Sequence, residues 1–400
     1  MDLRSPGNLK CRQENVIMMI FENRERYEKM NKYFTNIKKN FGFGMMRLPM
    51  NGEDVDYEET KKMVDAFLEN GFNYFDTAHG YLDGKSEIAV RECLTSRYPR
   101  EAYILTNKLS DHHFNKKEDI RPLFFSQLKI CGVDYFDFYL MHAQDKGNFE
   151  KYKQCSAYET AMELRREGYI KHLGLSFHDT ADVLEQILTE YPQVEVVQIQ
   201  LNYVDYEDPS VQGRQCLEVC RKHGKPAIIM EPVKGGSLVN LPKEAQAVFD
   251  AQKGGTNASY AIRFAASQEG VMMVLSGMGS MDMMNDNMSY MKEFQPLNDA
   301  EQAAVDKVCA IFRGLGAIPC TACRYCTEVC PKGIAIPALF ACLNTKKVFH
   351  DWSAKYYSEI HTQNGGKASE CVKCGLCEKI CPQHLKIREL LEDVVKEFEK

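Results

Sequence analysis

From Phe41 onward eight short apolar segments recur, each followed by a polar or helix-patterned stretch. They are 41–49 (FGFGMMRLP), 73–79 (NYFDTAH), 102–108 (AYILTNK), 136–142 (FDFYLMH), 172–177 (HLGLSF), 196–203 (VVQIQLNY), 227–232 (AIIMEP) and 271–277 (VMMVLSG). The runs YILT, FYLM and AIIM are nearly continuous in apolar character, as strands buried on both faces are, whereas half-exposed antiparallel strands alternate. Helical spacing from Glu59 to Asn70 stops at Gly71, and from Asp179 to Tyr191 it stops before Pro192. Strand alternating with helix eight times over about 240 residues predicts an α/β fold of the (β/α)8 TIM-barrel type. A doubly wound sheet is the rival, but its phosphate fingerprint is missing: Gly42-Phe43-Gly44 is followed by Met45, Met46 and Arg47.

The chain of 400 residues is 44% hydrophobic and 26% charged, which excludes disorder, collagen and coiled coil. Its 50 basic and 56 acidic residues give a net charge of −6, so no global field favours nucleic acid or an acidic membrane. No apolar run approaches the ~18 residues that cross a bilayer, and Val16 to Phe21 falls short of a signal-peptide core of ~7 to 15. A cytoplasmic protein is expected.

Three segments follow from these patterns. Residues 1–40 mix acidic and basic side chains without a period and read as an irregular N-terminal extension. Residues 41–315 hold the barrel, with Asp299 as the cap of a closing helix that runs toward Phe312. Gly314-Leu315-Gly316 and Pro319 mark a joint, and residues 316–400 form a second domain.

That second domain holds nine of the sixteen cysteines, eight of them in two short runs. Cys320, Cys323, Cys326 and Cys330 with Pro331 read C-x2-C-x2-C-x3-C-P, and Cys371, Cys374, Cys377 and Cys381 with Pro382 repeat the spacing at an offset of 51. Three thiolates two residues apart can wrap a compact loop around one cube, while a distant fourth closes it, so ligation and folding become one event. Zinc sites instead pair two C-x2-C units across a longer loop. The runs resemble the bacterial-type ferredoxins that carry two 4Fe-4S clusters, in which the fourth cysteine of each run serves the other cluster. That resemblance implies one cluster on Cys320, Cys323, Cys326 and Cys381, and a second on Cys371, Cys374, Cys377 and Cys330. The 40 residues between Cys330 and Cys371, with helical pattern from Pro337 to Phe349, predict a mostly helical iron-sulfur domain. Cys342 and the seven cysteines before residue 320 show no ligand spacing and read as small core residues.

At the ends of successive predicted strands stand FDTAHGY (75–81), TNK (106–108), YLMH (139–142) and GLSFH (174–178). In this order the motifs resemble the aldo-keto reductase family over roughly residues 41 to 298. The resemblance implies an oxidoreductase that passes a hydride between a nicotinamide cofactor and a carbonyl or alcohol. Tyr81 would be the proton donor, assisted by Asp76, Lys108 and His142. A phenol has pKa ≈ 10, so Lys108 is expected to share its charge with Tyr81 while Asp76 holds the ammonium. His142 would orient and polarise the carbonyl.

The same resemblance places Ser176 and Gln198 at the nicotinamide carboxamide, and Asp286 and Asn287 near the adenine. Met230 stands where relatives stack an aromatic ring, and Phe177 where many have asparagine. The loop Ser276-Gly277-Met278-Gly279-Ser280 leads into a helix whose free amides can receive a phosphate. Gly277 and Met283 occupy the places of the lysine and arginine that select a 2′-phosphate, so any preference for the phosphorylated cofactor, NADP(H) over NAD(H), is expected to be weak.

A hydride carries two electrons and a cubane cluster exchanges one, so direct coupling needs an intermediate able to do both, usually a flavin. No residue pattern here marks a flavin site. Three arrangements follow: clusters as staples beside a reductase, clusters feeding a flavin or substrate radical, or clusters serving a separate redox partner protein. An electron-transfer or binding protein whose barrel no longer reduces carbonyls is the alternative from another class. Expected partners are a small carbonyl or alcohol and a redox protein, with no nucleic acid and no membrane.

Overall fold

The computed structural model describes Phe34 and residues 36–208, 211–252, 254–349, 353–362 and 365–399. The expectations for residues 1–33, including the run Val16 to Phe21, lie outside the described residues. All eight predicted strands form: β1 (Phe41–Gly44), β2 (Tyr74–Asp76), β3 (Ile104–Leu109), β4 (Phe136–Gln144), β5 (Ile170–Phe177), β6 (Val196–Gln200), β7 (Ala227–Met230) and β8 (Val271–Gly277). They close into one parallel barrel, with β1 paired both to β8 (Phe41 opposite Val274) and to β2 (Gly42 opposite Tyr74). Each strand is covered by helices outside and by side chains inside, which is why β3 is buried at every residue.

The barrel interior is filled by Tyr74, Ile104, Phe138, Leu140, Val196, Ile228, Met273 and Leu275. Phe34 and Ile37 join this cluster, so the segment just before β1 closes the barrel floor. Asn73, at the start of β2, fastens that segment: it accepts from the Lys38 amide at 3.1 Å and donates to the Asn36 carbonyl at 2.8 Å. This part of the expected irregular extension therefore packs as barrel core.

Helix ends follow local chemistry. The helix Tyr57–Glu69 starts where the Asp56 carboxylate accepts from the Glu59 amide, and the chain leaves it through Gly71 at φ +82°. The closing helix spans Asp299–Leu315, and its cap is Asn298 rather than Asp299. Asn298 accepts from the Ala300 and Glu301 amides while the Glu301 carboxylate accepts from the Asn298 amide, a reciprocal box that Asp299 cannot make one residue later. The helix also continues past Phe312 through Gly314, stopping at left-handed Gly316. A buried Arg263–Glu301 pair ties it to the barrel helix Asn257–Ala266.

Residues 318–398 build a separate apolar cluster around Ile334, Leu339, Phe340, Ile387, Leu391 and Val394. The elements here are helices, chiefly Ile336–Phe349, Ser353–Thr362 and Ile387–Phe398, with one isolated parallel bridge from Ile334 to Gly366. Cys93, Cys131, Cys155, Cys216, Cys220, Cys309 and Cys342 are all buried, as small core residues are. Among the described residues no helix is long and apolar enough to cross a membrane.

Candidate active site

Asp76 ends β2, and Lys108 lies on β3 one strand over, so their side chains meet inside the barrel mouth. Lys108 Nζ donates to Asp76 Oδ1 at 2.5 Å and to the Thr77 carbonyl at 2.8 Å, with both side chains almost fully buried. Burial pushes the Asp76 carboxyl up and the Lys108 ammonium down, while their mutual attraction opposes both shifts. Gln198 Nε2 on β6 approaches the second Asp76 oxygen at 3.4 Å.

The Lys108 ammonium lies 4.8 Å from the centre of the Tyr81 ring, over its face. The ammonium gives two of its three donors to Asp76 and Thr77, and its charge stands beside the phenol ring. Burial first, and the Asp76 charge second, push the Tyr81 phenol well above its ordinary value. The His142 ring stands edge-on to Tyr81 at 5.9 Å. His142 Nδ1 pairs with Ser110 Oγ at 2.6 Å, and burial followed by the Lys108 charge holds this imidazole well below its usual range, hence neutral.

A buried polar layer supports these groups. Glu87, fully buried, accepts from Asn107 Nδ2 at 2.7 Å and pairs with His79 Nδ1 at 2.7 Å, two residues before Tyr81. Gln127 Nε2 donates to the Lys108 carbonyl at 3.0 Å and its oxygen accepts from the Tyr139 hydroxyl at 2.6 Å. Thr77 and Ser86 share a hydrogen bond of 2.7 Å, and Ser86 donates to the Met45 carbonyl after β1.

Ser176 ends β5 and its hydroxyl accepts from the Ala143 amide at 2.7 Å. Ser176 and Gln198 thus share the mouth with Asp76, Lys108, Tyr81 and His142. Met230 and Gly277 end β7 and β8 on the rim. Asp286 and Asn287 lie apart, on the helix Met281–Met291 that follows β8. Asn287 is buried, donating to Ser276 Oγ at 2.9 Å and accepting from the Tyr290 hydroxyl at 2.6 Å, and Asp286 accepts from Thr256. Met283 is 57% exposed.

Several residues at the mouth escaped the sequence reading. Arg47 Nη2 donates to Glu231 Oε1 at 3.3 Å and to the Thr321 carbonyl at 3.2 Å. Gln200 at the end of β6 pairs with Gln383, and His384 meets the His178 carbonyl at 3.0 Å. These contacts lay the cysteine lobe across the ends of β1, β5, β6 and β7. Burial, then the neighbouring Tyr81, push the phenol of Tyr325 in the first cysteine loop well up. The available signal for Arg47 was its position directly after a strand, where barrel sites are built.

The eight cysteines line two pockets, each partly open to solvent. One is lined by Cys320, Cys323, Cys326 and Cys381 with Ile336, Phe340 and Leu385. The other is lined by Cys330, Cys371, Cys374 and Cys377 with Ile334 and Leu391. Left-handed residues at Ala322, Arg324 and Gly333 recur at Lys373, Gly375 and His384, so the offset of 51 in sequence is also a repeat in backbone shape. Four thiols against apolar walls suit the chemistry of a cubane iron-sulfur group.

The aldo/keto reductase family model matches residues 40–310, and a model of the 4Fe-4S dicluster domain matches residues 319–386. The chain is 27% identical over 195 residues to the NADH-specific methylglyoxal reductase of Escherichia coli, covering 44% of this chain and 57% of that one. It is 29% identical over 190 residues to an aldo-keto reductase of Mycobacterium avium, covering 46% and 60%. The matches thus span less than two thirds of these relatives' length. An aldo-keto reductase structure from Bacillus halodurans (holo form) aligns with TM-score 0.55 at 22% identity, over 67% of this chain and 91% of that one. One from Klebsiella pneumoniae in complex with NADPH aligns with TM-score 0.54 at 19% identity, over 67% and 90%. At these identities the structural likeness is one of fold.

Proposed function

Because the chain belongs to the aldo/keto reductase family, we propose that its barrel mouth transfers a hydride between a nicotinamide cofactor and a small carbonyl or alcohol, and that the attached lobe holds two 4Fe-4S clusters. The observation that carries the barrel reading is the solvent-shielded Asp76–Lys108 pair beneath the Tyr81 ring, with neutral His142 edge-on to it. Tyr81 keeps its proton at neutral pH because burial disfavours the phenolate, so in the reducing direction it is the group with a proton to give. Neutral His142, its Nδ1 fixed by Ser110, has Nε2 left for a carbonyl oxygen. Lys108 supplies a positive charge close to the oxygen that becomes an alkoxide, and Asp76 keeps that charge in place.

The nicotinamide would supply the hydride, with Ser176 and Gln198 holding its carboxamide, Met230 and Gly277 beside it, and Asp286 and Asn287 toward the adenine. An NADH-specific relative and an NADPH-bound structure of like fold both support this cofactor class. Gly277 and exposed Met283, in place of basic residues, support at most a weak preference for the 2′-phosphorylated cofactor. The clusters would supply one-electron transfer and ordering of the lobe, one on Cys320, Cys323, Cys326 and Cys381 and the other on Cys330, Cys371, Cys374 and Cys377.

The test is anaerobic purification with iron and sulfide assays, followed by NADH and NADPH oxidation with methylglyoxal as the first of a panel of small carbonyls. Tyr81→Phe is expected to lower kcat by about 10² to 10⁴-fold, with cofactor binding retained. A Tyr81→Phe protein that reduces carbonyls at the full rate would remove the proton-donor assignment.

A further inference from the structure

Arg47 occupies the seam between the barrel mouth and the first cysteine loop. Its side chain is 38% exposed, and its Nη2 donates to both sides of the seam: to the Glu231 carboxylate at 3.3 Å, just after β7, and to the Thr321 carbonyl at 3.2 Å, between Cys320 and Cys323. Glu231 is fixed in turn, since Oε2 accepts from the Gly235 amide at 2.7 Å. The Arg47 stem also lies over Gly277: a β-carbon built there would stand 3.2 Å from Arg47 Cβ. Gly277 ends β8 and opens the loop into the helix Met281–Met291, and the first turn of a helix can receive a phosphate. One cation thus touches the strand end that leads to this phosphate loop and a carbonyl of the cluster loop.

From this juxtaposition we propose that Arg47 is a positioning residue shared by the two sites, through which a pyrophosphate bound in the barrel lowers the reduction potential of the cluster on Cys320, Cys323, Cys326 and Cys381, and leaves the other cluster unmoved. The inference rests on the nicotinamide dinucleotide reading of the barrel. A reduced cluster carries one more negative charge than an oxidised one, so a guanidinium donating to its binding loop favours reduction. A pyrophosphate is a stronger partner for that guanidinium than a peptide carbonyl, because the pairing is charge-assisted and bidentate. Drawing Arg47 toward the phosphate takes the cation from Thr321 and disfavours the reduced cluster. Linkage makes the effect reciprocal: the dinucleotide binds more tightly when this cluster is oxidised.

The cluster on Cys330, Cys371, Cys374 and Cys377 is the internal control. Its cavity is lined by Lys332, Ile334 and Leu391 and contains no residue that Arg47 touches.

The probe is ADP-ribose, which carries the pyrophosphate without a 2′-phosphate and lacks the nicotinamide ring, so it exchanges no electrons. Potentials of both clusters are read by EPR-monitored titration of anaerobic holoprotein with and without it, and its affinity is read by calorimetry. The expected result is a fall in one potential only; a tenfold preference for the oxidised protein appears as about 59 mV for one electron. Arg47→Met is expected to lower that same potential without the probe and to abolish the probe's effect, while Arg47→Lys restores part of both. Probe binding that moves neither potential, or moves both alike, overturns the inference and leaves the nicotinamide reading standing, whereas no binding overturns both. If Arg47→Met fails to take up iron, the wild-type titrations decide alone.

Discussion

Gln200 at the end of β6 and Gln383 in the cysteine lobe exchange both of their amide groups, each donating its Nε2 to the other's oxygen. Gln200 is 5% exposed and Gln383 4%. Gln383→Leu removes the donor to Gln200 Oε1 and strands that oxygen in a dry interface, at a cost of about 1–3 kcal/mol. The double variant Gln200→Leu, Gln383→Leu should cost less than the sum of the singles, because neither amide is then orphaned. Thermal unfolding of the iron-loaded proteins gives the four values, and strict additivity would contradict the pairing.

The two cysteine cavities make a claim about ligand exchange that spectroscopy can check. Cys381 lines the cavity of the first run and Cys330 that of the second. Cys381→Ser should therefore spare the same EPR signal as Cys326→Ser, and Cys330→Ser the same signal as Cys377→Ser. If Cys381→Ser instead matched Cys377→Ser, each run would be holding its own cluster.

Acid sensitivity follows from two imidazoles that the fold keeps neutral. Burial holds His178 down to about 4, and its Nδ1 is buried without a hydrogen-bond partner among the described residues. Burial likewise lowers His142 well below 6.5. The unfolded chain takes up protons that these residues refuse when folded, so stability is complete above 6.5 and is lost as pH falls from 6.5 toward 4. His79 works in the opposite sense: its bond to Glu87 raises its pKa, and that contribution is present below 6.5 and lost as pH rises through the raised value. His178→Leu should flatten the fall in Tm between pH 7 and 5 relative to the parent protein. An unchanged slope would assign the acid limb to other groups.

Much of this architecture is legible along the chain. The strands are, because each is buried on both faces and needs no distant partner to look apolar. The mouth residues Asp76, Lys108, His142 and Ser176 are, because a parallel barrel brings the ends of successive strands to one face. The barrel floor is not, since Phe34 and Ile37 find cover only once the eight strands have closed. Arg47 and Thr321 are 274 positions apart, and Gln200 and Gln383 are 183 apart. Each of these reads locally as an ordinary polar residue, and only the docking of the lobe gives it a partner. Lys108 is legible in part: the strand order puts its ammonium near Asp76 and the phenol, but the Thr77 carbonyl that takes its second donor shows no side-chain signal in the sequence.

Gly235 is where this docking can be broken with least change elsewhere. Its φ of +64° lies in the left-handed region, and a β-carbon there would sit 2.5 Å from the Thr321 carbonyl oxygen and 3.1 Å from the carbon. Those atoms are backbone in the loop between Cys320 and Cys323, so they can move only by shifting the loop. Gly235→Ala adds left-handed strain of about 1 kcal/mol to this clash. The Gly235 amide also donates to Glu231 Oε2, so the displaced turn loosens the carboxylate that Arg47 grips. The barrel core is untouched, since Gly235 lies outside every strand. The variant should keep its far-ultraviolet circular dichroism while the signal of the cluster on Cys320, Cys323, Cys326 and Cys381 broadens or is lost, the other cluster remaining as it was. Gly236, at φ +100° with open space where its β-carbon would be, supplies the comparison: Gly236→Ala bears the backbone strain without the clash and should leave both cluster signals in place.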